Sequence, residues 1–186
     1  MKCRTALVGL FTAAMAVSPF LGSTRLAPDD YPPAVTSKTL YATHDYRGKM
    51  APELKVQEWL TGKAPDTKGK VVLVDFWATW CGPCRATIPE LGKWAKAYPD
   101  DLVVIGISNE VPKVVANFME TTKMPYNVGI DESGKMSKEV GVQGIPHVLV
   151  ISADGIVRWQ GFPLDSKDTL TDEKLAQIIK VSKGSH

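Results

Sequence analysis

The chain has 186 residues, 44% of them hydrophobic, which is enough to bury one core with a tail or two and too short for several domains. Its 22 Lys and Arg stand against 20 Asp and Glu, a formal charge of +2 spread along the whole chain, which argues against nucleic acid as a partner. Only three cysteines occur, too few for a disulfide-stapled secreted scaffold, so the pair Cys81 and Cys84 is there for chemistry.

Lys2 and Arg4 precede an uncharged stretch, residues 5–24, that contains the apolar run 6–17; this is the pattern of a secretory signal peptide. Leu21-Gly22-Ser23 offers a cleavage site, and the same stretch is about long enough to remain as a membrane anchor, although Gly9, Ser18, Pro19 and Gly22 weaken it. Residues 1–24 are therefore expected to be a signal peptide or an anchor. Either way the body of the protein is periplasmic or otherwise extracytoplasmic, soluble after cleavage or anchored by residues 5–24. Cys3 precedes the apolar run and reads as a signal residue, since a lipid-bearing cysteine would follow it. Residues 25–50 carry Pro28, Pro32 and Pro33 among polar residues without a sustained period, and read as a tether or irregular lead-in to a domain over 51–183.

Within that domain Leu54, Val56 and Trp59-Leu60 predict a short element that ends at Gly62. Residues 71–77 form a continuous β-prone run, the signature of a central parallel strand buried on both faces. Beyond Cys84, Ile88, Leu91, Ala95 and Tyr98 recur at helical spacing up to Tyr98-Pro99-Asp100. Residues 102–108 read as a second buried strand, and Pro112 opens a helix with Val114, Val115, Phe118 and Met119 on one face. Val128 and Ile130 mark a short strand, followed by an irregular link. Strands 148–152 and 156–162 come next, joined by an Asp154-Gly155 turn. A last helix is capped by Thr171, with Asp172 and Glu173 in its first turn and Leu175, Ile178 and Ile179 inward. The class is α/β: a central mixed β-sheet flanked by helices.

Cys81 falls where a buried strand gives way to a helix, so free backbone N–H groups and the helix dipole can stabilise its thiolate as an attacking nucleophile. Cys84, one turn later, is placed to resolve the mixed disulfide. Half of a zinc site or an inert structural disulfide would use the same spacing, but no second ligand pair accompanies it. Asp75 is an acid within an apolar strand, either at a wet strand end or kept for proton transfer. His147 could tune the thiolate, contact substrate, bind metal or simply be solvated, whereas His44 and His186 have no spacing that implies a site.

The run Val74-Asp75-Phe76-Trp77-Ala78-Thr79-Trp80-Cys81-Gly82-Pro83-Cys84-Arg85, with Pro89 in the helix and Gly144-Ile145-Pro146 later, resembles the thioredoxin superfamily over residues 51–183. The signal-like segment, Ala51-Pro52 and the extra helix and strand between Leu102 and Ile130 are similar to its exported TlpA/ResA branch. The resemblance implies a thioredoxin-like fold with a βα insertion, a redox-active disulfide Cys81–Cys84, and no bound cofactor or metal. It implies that Asp75 lies beneath the disulfide and takes the Cys84 proton through water. Pro146 would be the cis-proline facing the cysteines, leaving the backbone of its neighbour Ile145 free to pair with an extended peptide. Trp80, Gly82, Pro83 and His147 would complete the substrate surface, and Pro89 would kink the helix.

The Gly82-Pro83 dipeptide is similar to thioredoxin's own and implies a reducing pair. Thr87 stands where the ResA branch usually has Glu, Asp75 where it often has Asn, and His147 where the family commonly has Thr. The expected function is an extracytoplasmic reductase of disulfides in exported proteins, a monomer recharged by a membrane electron donor because its surroundings are oxidising. A copper-binding chaperone on the same fold, using Cys81, Cys84 and His147, and a disulfide oxidase or isomerase stay open as alternatives. A thiol peroxidase is weaker, for the run before Cys81 lacks the Pro and Thr that such a site would want.

Overall fold

The computed structural model describes residues 30–184, so the expected signal or anchor over 1–24, with Cys3, and the terminal His186 lie outside them. The apolar run after Lys70 becomes β2 (Val71–Phe76), which pairs in parallel with β3 (Leu102–Ser108) and antiparallel with β5 (His147–Ile151). Outward from β3 come β4 (Asn127–Ile130) and the two-residue β1 (Glu58–Trp59); outward from β5 comes β6 (Val157–Gly161), giving the order β1-β4-β3-β2-β5-β6. The sheet is mixed because β1 and β5 run antiparallel to β2, β3 and β4, while β6, antiparallel to β5, runs with them.

Strand side chains alternate between two faces, and each face has its own core. Leu73, Val104, Val148 and Val150 pack with Ile88 and Leu91 of α1 (Gly82–Ala97) and with Leu175, Ile178 and Ile179 of α4 (Asp172–Gly184). Val74, Phe76, Ile105, Ile107 and Leu149 form the opposite core. Each fully buried Val, Leu or Ile contributes about 1.5–3 kcal/mol, and the two cores sandwich β2 so that its C-terminal end is held rigidly. The end of β2 is where the cysteine pair begins.

Two expectations need correction, and the lead-in takes one of its two expected forms. In α2 (Pro112–Thr121) Val115 is buried and Phe118 and Met119 pack on the core, but Val114 is exposed, one residue rotated from the inward face. The link before β5 contains α3 (Lys135–Val140), a short helix between left-handed Gly134 and Gly141 that buries Met136 and Val140 one turn apart. A six-residue helix has too few turns to show a period in sequence. The lead-in is irregular, yet it is not a free tether: Arg47 and Met50 bridge to Val157 and Ile156, and Ala42 bridges to Val142. It thus covers the otherwise open edge of β6. Among the described residues no helix is long and apolar enough to cross a membrane.

Candidate active site

The chain leaves β2 at Phe76 and enters α1 at Gly82 through a short tight connection. The Trp77 N–H donates to the Ile107 carbonyl (3.1 Å), continuing the ladder to β3, and the Cys81 N–H donates to the Ala78 carbonyl (3.1 Å), turning the chain into the helix. Cys81 is the N-cap of α1, and its sulfur accepts the Cys84 N–H at 3.2 Å. Pro83 sits in the first turn, where a missing N–H has no partner to lose.

Cys81 and Cys84 form a disulfide, with Cα atoms 5.3 Å apart. Cys84 is fully buried and Cys81 is 4% exposed, while Gly82, Pro83 and Trp80 are open to solvent, Trp80 at 73%. The free N–H groups and positive dipole end of α1 meet at Cys81, the conditions that lower a thiol pKa once the disulfide is reduced. Across from it, the Ile145–Pro146 bond is cis, and the Ile145 carbonyl oxygen lies 3.7 Å from Cys81 Sγ. A cleft of about 400 Å³ adjoins this point, bounded by Trp77, Trp80, Asn109, Gln143, Gly144 and Ile145.

Asp75 pairs in register with Gly106 on one side and Val148 on the other, so it projects to the face that carries the cysteines. It is 1% exposed and its Oδ1 has no hydrogen-bond partner, which rules out a wet strand end. Burial alone pushes its carboxyl up from 3.8 to about 7. Gly106 is a close approach: a Cβ there would stand 3.0 Å from Trp77 Nε1 and 3.3 Å from Tyr126 Cε2. Burial first, and the charge of Asp75 second, push the Tyr126 phenol above its usual range.

The AhpC/TSA family model matches residues 47–160. The chain belongs to this family. It is 33% identical over 138 residues to the thiol-disulfide oxidoreductase ResA of Bacillus thuringiensis subsp. konkukian, covering 72% of this chain and 76% of that protein. It is 30% identical over 135 residues to the thioredoxin-like protein YneN of Bacillus subtilis, covering 66% and 79%. Among solved structures, that assigned to the thiol:disulfide interchange protein DsbE of Chlorobium tepidum superposes with a TM-score of 0.63 at 29% identity, covering 71% of this chain and 97% of that one. The protein is a thioredoxin-like thiol-disulfide oxidoreductase of ResA/DsbE type, and the fold expected from its motif is the fold observed.

In this oxidoreductase His147 is neither solvated nor part of the substrate surface. Its neighbour Val148 faces the cysteine side, so alternation sends His147 to the opposite core, where it is fully buried with its ring 6.3 Å from Phe76. The Gln160 amide nitrogen lies 3.1 Å from His147 Nε2, and burial first, then the charge of Lys38, lower the imidazole from 6.5 to about 4. A ring on the far face of the sheet is not placed to join Cys81 and Cys84 as a third copper ligand. Pro89 lies inside α1, which continues to Ala97.

Two polar groups hold the turn that carries the cysteines; Thr87 stood out in the sequence and Glu110 did not. Thr87 is buried and its hydroxyl donates to the Cys84 carbonyl at 2.7 Å, so the position that carries Glu in the ResA branch is here occupied with a local bond. Glu110, just beyond β3, accepts hydrogen bonds from the Thr79 N–H (2.7 Å), the Thr79 hydroxyl (2.7 Å) and the Ser108 hydroxyl (3.0 Å). The only hint was an acid placed directly after a buried strand.

Proposed function

We propose that this oxidoreductase acts outside the cytoplasm as a reductase of disulfides in exported proteins. The observation that carries the reading is the combination, on one face of the sheet, of an N-capping Cys81, a fully buried Cys84 and a buried acid near neutrality, Asp75. The reduced Cys81 thiolate attacks a substrate disulfide, forming a mixed disulfide and releasing one substrate sulfur, which takes up a proton. Cys84 then attacks Cys81 Sγ, Asp75 takes the Cys84 proton, and the second substrate thiolate leaves. Two electrons pass to the substrate and the Cys81–Cys84 disulfide closes. An acid titrating near 7 can accept a proton at neutral pH and return it, the property wanted of a general base.

Pro146 and Ile145 position an extended peptide against Cys81, whose sulfur already lies 3.7 Å from the Ile145 carbonyl. Exposed Trp80, Gly82 and Pro83 supply the rest of the docking surface. Location rests on the signal-like residues 1–24, and an electron donor in the membrane follows from an oxidising exterior. The test is the reduction potential of the Cys81–Cys84 pair, equilibrated with dithiothreitol and read by thiol alkylation. A value near or below about −270 mV supports the reductase; about −120 to −180 mV makes the protein an oxidase or isomerase.

A further inference from the structure

The connection between β2 and α1 carries Thr79, Trp80 and Cys81, and a short ladder of hydrogen bonds fixes it. The Trp77 N–H is taken by the last β3 carbonyl within reach, that of Ile107, and the Cys81 N–H by Ala78. The Thr79 N–H, two residues on from Trp77, has no strand carbonyl opposite it. Glu110 supplies the missing acceptor: one carboxylate oxygen takes the Thr79 N–H and the other takes the Thr79 hydroxyl, both at 2.7 Å. The carboxylate is itself aimed by Ser108, a fully buried residue at the end of β3, whose hydroxyl donates to it at 3.0 Å and accepts the Glu110 N–H at 3.2 Å. A carboxylate gripping one residue through both oxygens fixes direction as well as distance.

The neighbours of these two residues both form part of the wall of the cleft beside Cys81. Trp80 follows Thr79, Asn109 precedes Glu110, and both line the cleft of about 400 Å³. We infer that Glu110 is a positioning residue for thiol-disulfide exchange: through Thr79 it sets the spacing between Trp80 and Asn109 in that wall and so the fit of a peptide disulfide to Cys81. It touches neither sulfur nor substrate. The inference rests on the exchange activity through Cys81 and Cys84.

Glu110→Gln keeps the shape but removes the charge and one of the two acceptor oxygens, so the charge-assisted two-oxygen grip on Thr79 is reduced to a single neutral acceptor. Thr79→Val removes the hydroxyl alone. Purified protein and variants are reduced and mixed with either a synthetic peptide closed by one disulfide, which must enter the cleft, or hydroxyethyl disulfide, which is too small to need it. For Glu110→Gln, kcat/KM toward the peptide is expected to fall about tenfold, mainly through KM, with hydroxyethyl disulfide changed less than about twofold. Thr79→Val should shift the same ratio in the same direction, and the double variant should add little to Glu110→Gln alone. The inference is overturned if both disulfides slow equally, if neither slows, or if the two substitutions are additive. A lower melting temperature without a change in the substrate ratio would also overturn it, leaving Glu110 a stability residue. Failure of the unsubstituted protein to reduce either disulfide would instead remove the exchange activity itself, a result distinguishable from the loss of this inference alone.

Discussion

Asp75 stands opposite Val148 in the β2–β5 register, two residues beyond Pro146 and on the sheet face that holds Cys81 and Cys84. The folded carboxyl keeps its proton up to about pH 7, whereas the unfolded one loses it near 3.8, so between these values the native state binds more protons. The resulting stability is fully present below 3.8 and is lost as pH rises through about 7. A shift of this size corresponds to about 4 kcal/mol as an upper figure. Asp75→Asn should therefore flatten the fall in denaturant midpoint across that window and be the more stable protein at alkaline pH. An unchanged slope in the variant would show that Asp75 is not the group that titrates.

His147 should act with the opposite sign. Its folded pKa of about 4 lies below the usual 6.5, so the unfolded state binds more protons in between and stability is lost as pH falls through that range. His147→Leu removes this acid-side loss but strands one Gln160 N–H, costing about 1–3 kcal/mol at neutral pH. Because the ring sits in the far core, the reduction potential should stay within about 30 mV of the parent, equivalent to about 1.4 kcal/mol. A larger shift would mean that the ring communicates with the cysteines after all.

The contrast between these two residues marks what could be read from sequence. Asp75 interrupts an apolar run of one strand, and a charge among Val and Phe announces itself without any tertiary knowledge. His147 could be placed only by knowing which face its neighbours take, and β5 begins at that residue, one earlier than its apolar run suggests. The central strands were legible as continuous apolar runs buried on both faces, and α1 and α4 because each buries a periodic face against the sheet. The α3 helix, the exposure of Val114 and the grip of Glu110 on Thr79 depend on contacts between segments distant in sequence, for which a single chain carries no periodic signal.

Lys38 ties the lead-in to the body of the domain. Its ammonium group is completely buried, pairs with Asp168 at 2.5 Å and lies 3.9 Å from the centre of the Trp159 ring. Burial, the largest influence, lowers its pKa, while the Asp168 carboxylate works against that shift. Removing one member of a buried pair costs about 3–5 kcal/mol, and Asp168 retains Lys174, so Lys38→Ala should fall at the lower end of that range in chemical denaturation. A loss below about 0.5 kcal/mol, the scale of an ordinary surface change, would mean that the lead-in is not held through this pair.

The burial of the two cysteines predicts which one meets the substrate first. Cys81 caps α1 beside the cleft and the Ile145 carbonyl, and Cys84 is fully enclosed one turn later. In Cys84→Ser the mixed disulfide on Cys81 has no resolving thiol, so intact-mass measurement after mixing with a disulfide peptide should find a persistent adduct that dithiothreitol removes. In Cys81→Ser the surviving thiol is the buried one, outside the N-cap position that stabilises a thiolate, and no adduct should accumulate over the same period. The pair of variants separates access from chemistry. Equal adduct in both would require Cys84 to become exposed in the reduced protein, and the order of attack would then have to be assigned to the reduced conformation and not to the oxidised one.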